Sequence, residues 1–227
     1  MKNIFILSLP LLFINTAFAS DFCSQKSAVN DDCIASISDL HPTQISVGMI
    51  EVKEKEKKIA KMSKSDIESF EEENPEPTVV GPKGKLYIID HHHLGRALWD
   101  QHIESTHCKI MGNFSNLSDS DFWKKMNANK WVYTYDENGK GPLPISSLPS
   151  TVADLKDDPY RSLAGAVRQN GGYNKTTAPF AEFLWANFFR TRIKVGHSDK
   201  DFDKAVDDAT KLAHSKDAKN LPGYSSK

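Results

Sequence analysis

The chain opens with Lys2, an apolar run from Ile4 to Ile14, and the triplet Ala17-Phe18-Ala19 before polar Ser20 and Asp21. A charged start, a short apolar core and a small-residue site in that order predict a secretory signal peptide over residues 1–19. The core is about 11 residues, short of the roughly 20 that cross a bilayer, and no later stretch approaches that length. The expected mature chain is exported, periplasmic or secreted, with no membrane span after signal cleavage.

Beyond the leader the periodicity alternates between strand and helix. LHPTQISVGMIE, ending at Glu51, alternates apolar and polar positions after a proline and predicts an extended segment entering a small sheet. Residues 52–70 mix charges with the sparse apolar anchors Ile59, Met62 and Ile67, which predicts one solvated helix ended by Asn74-Pro75-Glu76-Pro77. Thr78-Val79-Val80 and residues 85–90 flank Gly81-Pro82-Lys83-Gly84, the pattern of a β-hairpin. Its second strand runs into His91-His92-His93, after which Leu94, Ala97 and Leu98 follow helical spacing, so a strand delivers three histidines to a helix N-terminus.

The remaining pattern predicts a strand at residues 109–111 and a helix capped within Ser118–Asp121 that carries Phe122, Trp123 and Met126. Residues 131–135 look extended, residues 141–149 are turn and linker chemistry, and residues 160–168, 178–192 and 199–214 are three helices. No internal repeat is present. The fold class is α+β: a disulfide-closed leader over residues 20–38, a small mixed sheet with helices over residues 39–116, and a mainly helical part over residues 117–227.

Composition narrows the function. The chain has 227 residues, 39% of them hydrophobic and 26% charged, and its net charge of -1 offers no general attraction to nucleic acid or anionic membranes. Any phosphate binding is therefore local. Of three cysteines, Cys23 and Cys33 bound a loop short enough to close readily in an oxidising compartment, which predicts a disulfide. Cys108 is left over, in a setting that favours a buried, inert thiol over a nucleophile.

The local signal for chemistry is Asp90-His91-His92-His93 at the strand-to-helix junction. Unpaired amides and the helix dipole there favour an anion such as phosphate, and imidazoles beside it donate hydrogen bonds or move a proton near neutral pH. Asp90 either fixes a histidine tautomer or caps the helix, and a purely structural junction is the competing reading. Three consecutive histidines do not share one face and no zinc-type spacing accompanies them, so no metal site is expected. Arg161 and Arg168, seven apart, share a helix face suited to clamping a phosphate, against the plainer reading of solvated or salt-bridged arginines. Gly171-Gly172-Tyr173-Asn174-Lys175 is a flexible loop or a helix stop. Residues 180–189 form an aromatic helix read as core, with Glu182 as its polar exception.

Taken in order, HPTQISVGMIEVKEK, VVGPKGKLYIIDHHHLGRAL, DDPYRSLAGAVRQNGGY and PFAEFLWANF resemble the ParB-like nuclease family of the ParB/sulfiredoxin superfamily, from His41 to the closing LPGY. The resemblance implies a strand-to-helix turn, Asp90 to His93, that binds phosphates of a nucleotide or nucleic acid, with Mg²⁺ or a nucleotide as the cofactors to consider. In kinase-like relatives the turn reads Asp-Gly-His-His-Arg. Asp90, His92 and His93 match it, His91 replaces the glycine, Leu94 replaces the arginine, and Arg96 is the nearest substitute clamp. Glu51 stands where those relatives carry an acidic base, and Lys53 and Gln44 are lesser candidates.

The activity implied first is phosphodiester hydrolysis with His92 or His93 as acid/base and Glu51 as base or metal carboxylate. The alternatives are a nucleotide-dependent small-molecule kinase, disfavoured by scarce nucleotides outside the cytoplasm, and a non-enzymatic phosphate- or protein-binding module. The sulfiredoxin-like turn needs a cysteine that this chain lacks. A chromosome-partitioning role is disfavoured by the export signal and by the lack of a helix-turn-helix with a basic surface.

Overall fold

The structure, a computed structural model, describes residues 22–196 and 198–226; the expected signal peptide lies outside the described residues. Short alternating segments build β1 (Asp32–Ser36), β2 (Leu40–Pro42) and a two-residue β3 (Ser46–Val47). Next come α1 (Met49–Ile59), α2 (Lys64–Glu73), β4 (Glu76–Val80), β5 (Leu86–Ile88), α3 (His92–Asp100), β6 (Ser105–Asn113) and α4 (Asp119–Ala128). The main sheet has the order β1-β6-β4-β5-β2; β1 runs antiparallel to β6 and β4 to β5, while β6 with β4 and β2 with β5 are parallel.

Strand alternation gives this sheet two apolar faces. Cys33, Ala35, Val80, Leu86, Ile88, Cys108 and Ile110 pack under Val52 and Ile59 of α1 and Leu94, Ala97 and Leu98 of α3. Val79, Tyr87 and Ile89 turn the other way, against Phe122 and Met126 of α4 and against Trp131. The expected hairpin is β4 and β5, with Val79 opposite Tyr87. The single helix expected over residues 52–70 is instead two. Ser63 accepts the Asp66 N–H while Asp66 accepts the Ser63 N–H, a reciprocal cap that starts a new helix at Lys64. Residues 131–135 are extended and are tied to the rest by the bridge between Gln44 and Tyr133.

The second half is helical: β7 (Lys156–Asp157), α5 (Pro159–Gln169), α6 (Ala181–Arg190) and α7 (Asp199–Ala213). Proline at the first position of α5 and Asp158 as its cap follow from the sequence. The aromatic helix α6 is core: Trp185 stacks on Tyr173 at 4.3 Å, and Phe189 packs with Leu163, Val167 and Ala209. Elements on either side of residue 116 pack together, with β3 pairing β7 and α1 lying against α5. Gly48 marks a close approach of the start of α1 to α5, since a Cβ there would lie 2.5 Å from Ser162 Oγ.

Two histidines stitch α3 to the elements before it. His92 Nε2 accepts the Thr43 N–H at 3.0 Å, and His93 Nε2 accepts the Gly48 N–H at 3.0 Å. Burial disfavours the imidazolium, so His92 is pushed down to about 3 and His93 well below its usual range. A neutral ring that accepts at Nε2 carries its proton on Nδ1. Cys23 and Cys33 are joined as expected, and Cys108 is a buried free cysteine whose thiol is pushed up to about 12 by its burial.

Two consequences are measurable. Closing a loop of 10 residues contributes about 2.7 kcal/mol in the chain-entropy picture, so Cys23→Ser with Cys33→Ser lowers the urea midpoint accordingly and makes it insensitive to reductant. The depressed His92 contributes stability that is present above pH 6.5 and lost as pH falls toward 3. Glu71, pushed up to about 7 by burial, acts in the opposite sense: its stabilisation is whole below about 4.5 and is lost as pH rises through 7. His92→Gln keeps an acceptor near the Thr43 amide and removes the titration, so its acid-unfolding limb between pH 6.5 and 3 is shallower than that of the wild type.

Candidate functional site

A cleft of about 700 Å³ opens where the α3 turn meets α1, residues 129–131 and the helical part. Its floor is the junction picked out in the sequence. Asp90 Oδ1 accepts the His91 N–H at 2.8 Å, and His91 adopts the left-handed conformation, φ 59° and ψ 15°. Kinase-like relatives place glycine at this position, and the backbone shows why: the left-handed region is open to glycine and costs other residues about 1 kcal/mol. His91 stands exposed at the mouth, while His92 and His93 are buried in the first turn of α3 with their amide partners behind them.

Glu51, in the first turn of α1, faces three cationic or imidazole groups. Its carboxylate lies 3.6 Å from His93 Nε2, 3.6 Å from Arg161 Nη1 and 3.9 Å from Lys55 Nζ. These separations exceed hydrogen-bond range, so the Arg161 and Lys55 contacts are electrostatic, while neutral His93, whose Nε2 already accepts the Gly48 N–H, makes no ion pair with the carboxylate. Arg161 enters from α5 with its side chain only 12% exposed, and its Nε and Nη1 are buried with no hydrogen-bond partner. A guanidinium with unpartnered buried nitrogens costs more than a satisfied one, and this residue lines the cleft. The Phe183 ring lies 5.6 Å from the guanidinium carbon.

Arg168 lines the same wall, as its spacing from Arg161 suggests, but it forms an ion pair with Glu182. Arg96 does not join them. Its Nε bonds Asp100 at 2.8 Å and its Nη1 donates to the Leu155 carbonyl at 3.0 Å, because position 96 turns toward the C-terminal end of α3 and the segment before β7. Leu94, in place of the relatives' arginine, is buried. Gln44 reaches the cleft edge with its Nε2 donating to the Ser46 carbonyl, and Lys53 is exposed outside it.

Several lining residues carried no sequence signal of their own. Lys55 sits one turn beyond Glu51, a spacing readable on any helix. Lys175 lies in the Gly171–Lys175 segment, which the sequence reads as a flexible loop or a helix stop. Lys130, Trp131 and Phe180 reach the cleft only through the path of the chain. Trp131 is backed by Phe114 at 6.2 Å and Phe180 by Tyr133 at 5.0 Å, so two aromatic surfaces stand at the rim. The lining carries five lysines and arginines against three carboxylates, a local positive balance in a chain of net charge -1. Among the described residues no group of three or more His, Cys, Asp or Glu side chains is spaced to hold a metal ion, and no helix is long and apolar enough to cross a membrane.

Comparison with known proteins extends this picture. The crystal structure of protein Atu1540 from Agrobacterium tumefaciens is similar over 86% of this chain and 97% of its own, with 39% sequence identity and a TM-score of 0.77. A search of the curated proteins found no match. The family model described as "Putative ParB-like nuclease" matches residues 33–191, which spans β1, the whole α3 turn, α5 and α6. Both halves of the cleft thus fall within one family's boundaries, and the chain belongs to the ParB-like nuclease family.

Proposed function

We propose that the cleft binds the phosphate of a nucleotide or nucleic acid and that the protein, exported to an oxidising compartment, acts there on a phosphodiester. The carrying observation is Arg161, whose buried Nε and Nη1 lack partners on the wall facing the α3 turn. An anion placed between them meets guanidinium donors on one side and a helix N-terminus on the other. Lys55 and Lys175 add charge at the edge, and Trp131 and Phe180 offer flat apolar surfaces for a base. The Cys23–Cys33 disulfide supports the oxidising compartment.

The roles follow from the geometry of each group. His92 and His93 have Nε2 engaged by backbone amides and strongly lowered proton affinity, so in this reading they present neutral Nδ1–H donors to the phosphate. Proton transfer then falls to Glu51, a carboxylate on the cleft wall that takes a proton from the attacking water or hydroxyl. Asp90 holds the turn through the His91 amide, and Arg168 is available as a second clamp once its pairing with Glu182 is exchanged for the ligand.

Thermal shift of the mature chain against dinucleotides, mononucleotides and short single strands tests the binding step. At least one of these raises the melting temperature of the wild type, and Arg161→Ala abolishes the rise while Arg161→Lys keeps part of it. A rise that survives Arg161→Ala sinks the assignment. Glu51→Gln keeps the thermal shift and lowers turnover of the same ligand by about 10²-fold or more, the usual scale for losing a general base. Turnover equal to wild type in Glu51→Gln removes Glu51 from the chemistry, and binding without turnover by the wild type leaves a binding module.

A further inference from the structure

Beneath the α3 turn lies a group that the phosphate reading does not use. Glu76, the first residue of β4, is fully buried, and both of its carboxyl oxygens lack a hydrogen-bond partner. Extending the β4–β5 register, in which Thr78 faces Ile88 and the Pro77 carbonyl accepts the Ile89 N–H, sets Glu76 opposite Asp90 on the same face of the hairpin. On its other side the carboxyl abuts the first turn of α3, where a Cβ on Gly95 would lie 3.5 Å from Oε1. The position that an apolar strand would fill with a valine or leucine thus carries an acid, directly behind the amides that head the cleft.

We propose that Glu76 is the proton-linked floor of the anion site: its neutral form permits phosphate to bind at the α3 turn, and its ionised form opposes it. The inference rests on the phosphate reading of the cleft. Every element packed against Glu76 contributes to the balance. Asp90 from the turn and Glu71 from α2 favour the neutral acid, Lys55 from α1 favours the anion, Cys108 from β6 faces it across the β4–β6 pair, and α3 places the uncharged Gly95 beside it. Burial is the largest cause and the two carboxylates add to it, so the proton is held well above the usual carboxylate range. A buried charge in a poorly polarisable interior acts over longer distances than one in water, and a phosphate at the turn would feel it. Linkage makes the effect reciprocal: the bound anion raises the proton affinity of Glu76 as much as the proton raises affinity for the anion.

The probe is a dinucleoside monophosphate, whose diester does not titrate between pH 6.5 and 9, measured by calorimetry with the full mature chain in buffers of different ionisation heat. Wild type takes up protons on binding at the upper end of this range and binds at least threefold more weakly at pH 9 than at pH 6.5. Glu76→Gln binds equally at both, whereas Glu71→Gln retains the weakening at pH 9 and so separates the nearby acid. Because Glu76→Gln tests a core position, carboxyl ¹³C resonances of the wild type provide a second readout, with the Glu76 midpoint rising when the dinucleotide is added. A weakening that persists in Glu76→Gln, or a midpoint that does not move, overturns the linkage while leaving the phosphate site intact. Absence of binding at every pH overturns both.

Discussion

The cleft depends on two buried imidazoles that accept backbone amides. His92 and His93 tie the start of α3 to Thr43 and Gly48, the ends of the segment that carries β3 and leads into α1. Such bonds survive only while the rings stay neutral, and burial enforces that state. From this tie the rest follows geometrically. Gly48 is held so close to Ser162 that no side chain fits, which docks α1 onto α5, and that docking brings Glu51 and Arg161 to opposite sides of one carboxylate–guanidinium contact. The site is thus a product of the junction between sheet and helical part.

Charge distribution explains how a nearly neutral chain carries a locally positive cleft. The lysines and acids of α1 alternate and are largely exposed, so their fields cancel within a Debye length, whereas α2 is acidic. In the cleft the balance is positive and the groups are partly withdrawn from water, where each is worth more. The incomplete pairing of Arg161 is the costly element. Its neighbour Glu51 stands 3.6 Å away, too far for a hydrogen bond, so the guanidinium is neutralised in part while its buried Nε and Nη1 go without a hydrogen-bond partner.

Much of this was legible in the sequence, for specific reasons. The α3 turn announced itself because a strand pattern, an acid and three histidines met at one junction, and the helical periodicity after His93 fixed where the helix begins. The Cys23–Cys33 bond and the aromatic core helix α6 were readable from spacing and composition alone. The break between α1 and α2 was carried by Ser63 and Asp66, a local cap hidden within a uniformly charged run. Arg96 looked available because sequence proximity to the turn says nothing of direction, and the structure commits it to Asp100 and the Leu155 carbonyl. Glu76 was invisible as a site residue: next to Pro75 and Pro77 it reads as turn chemistry, and only strand register places it behind α3.

Part of the backbone strain lies at the same place. Among the described residues, non-glycine positions with positive φ include His91, Lys130 and Phe180, near 58 to 59°, and all three line the cleft. Each costs about 1 kcal/mol and persists because neighbouring bonds over-determine it. The His91 carbonyl accepts the Leu94 and Gly95 amides, the Phe180 carbonyl accepts those of Phe183 and Leu184, and the Lys130 N–H donates to the Asn127 carbonyl. Strain held in this way gives the mouth of the cleft one over-determined backbone geometry. With unpartnered guanidinium nitrogens at Arg161 and an unpartnered acid beneath the floor, this cavity gathers several of the fold's local energetic costs, although Asn30, Lys83 and His102 carry the same backbone strain elsewhere.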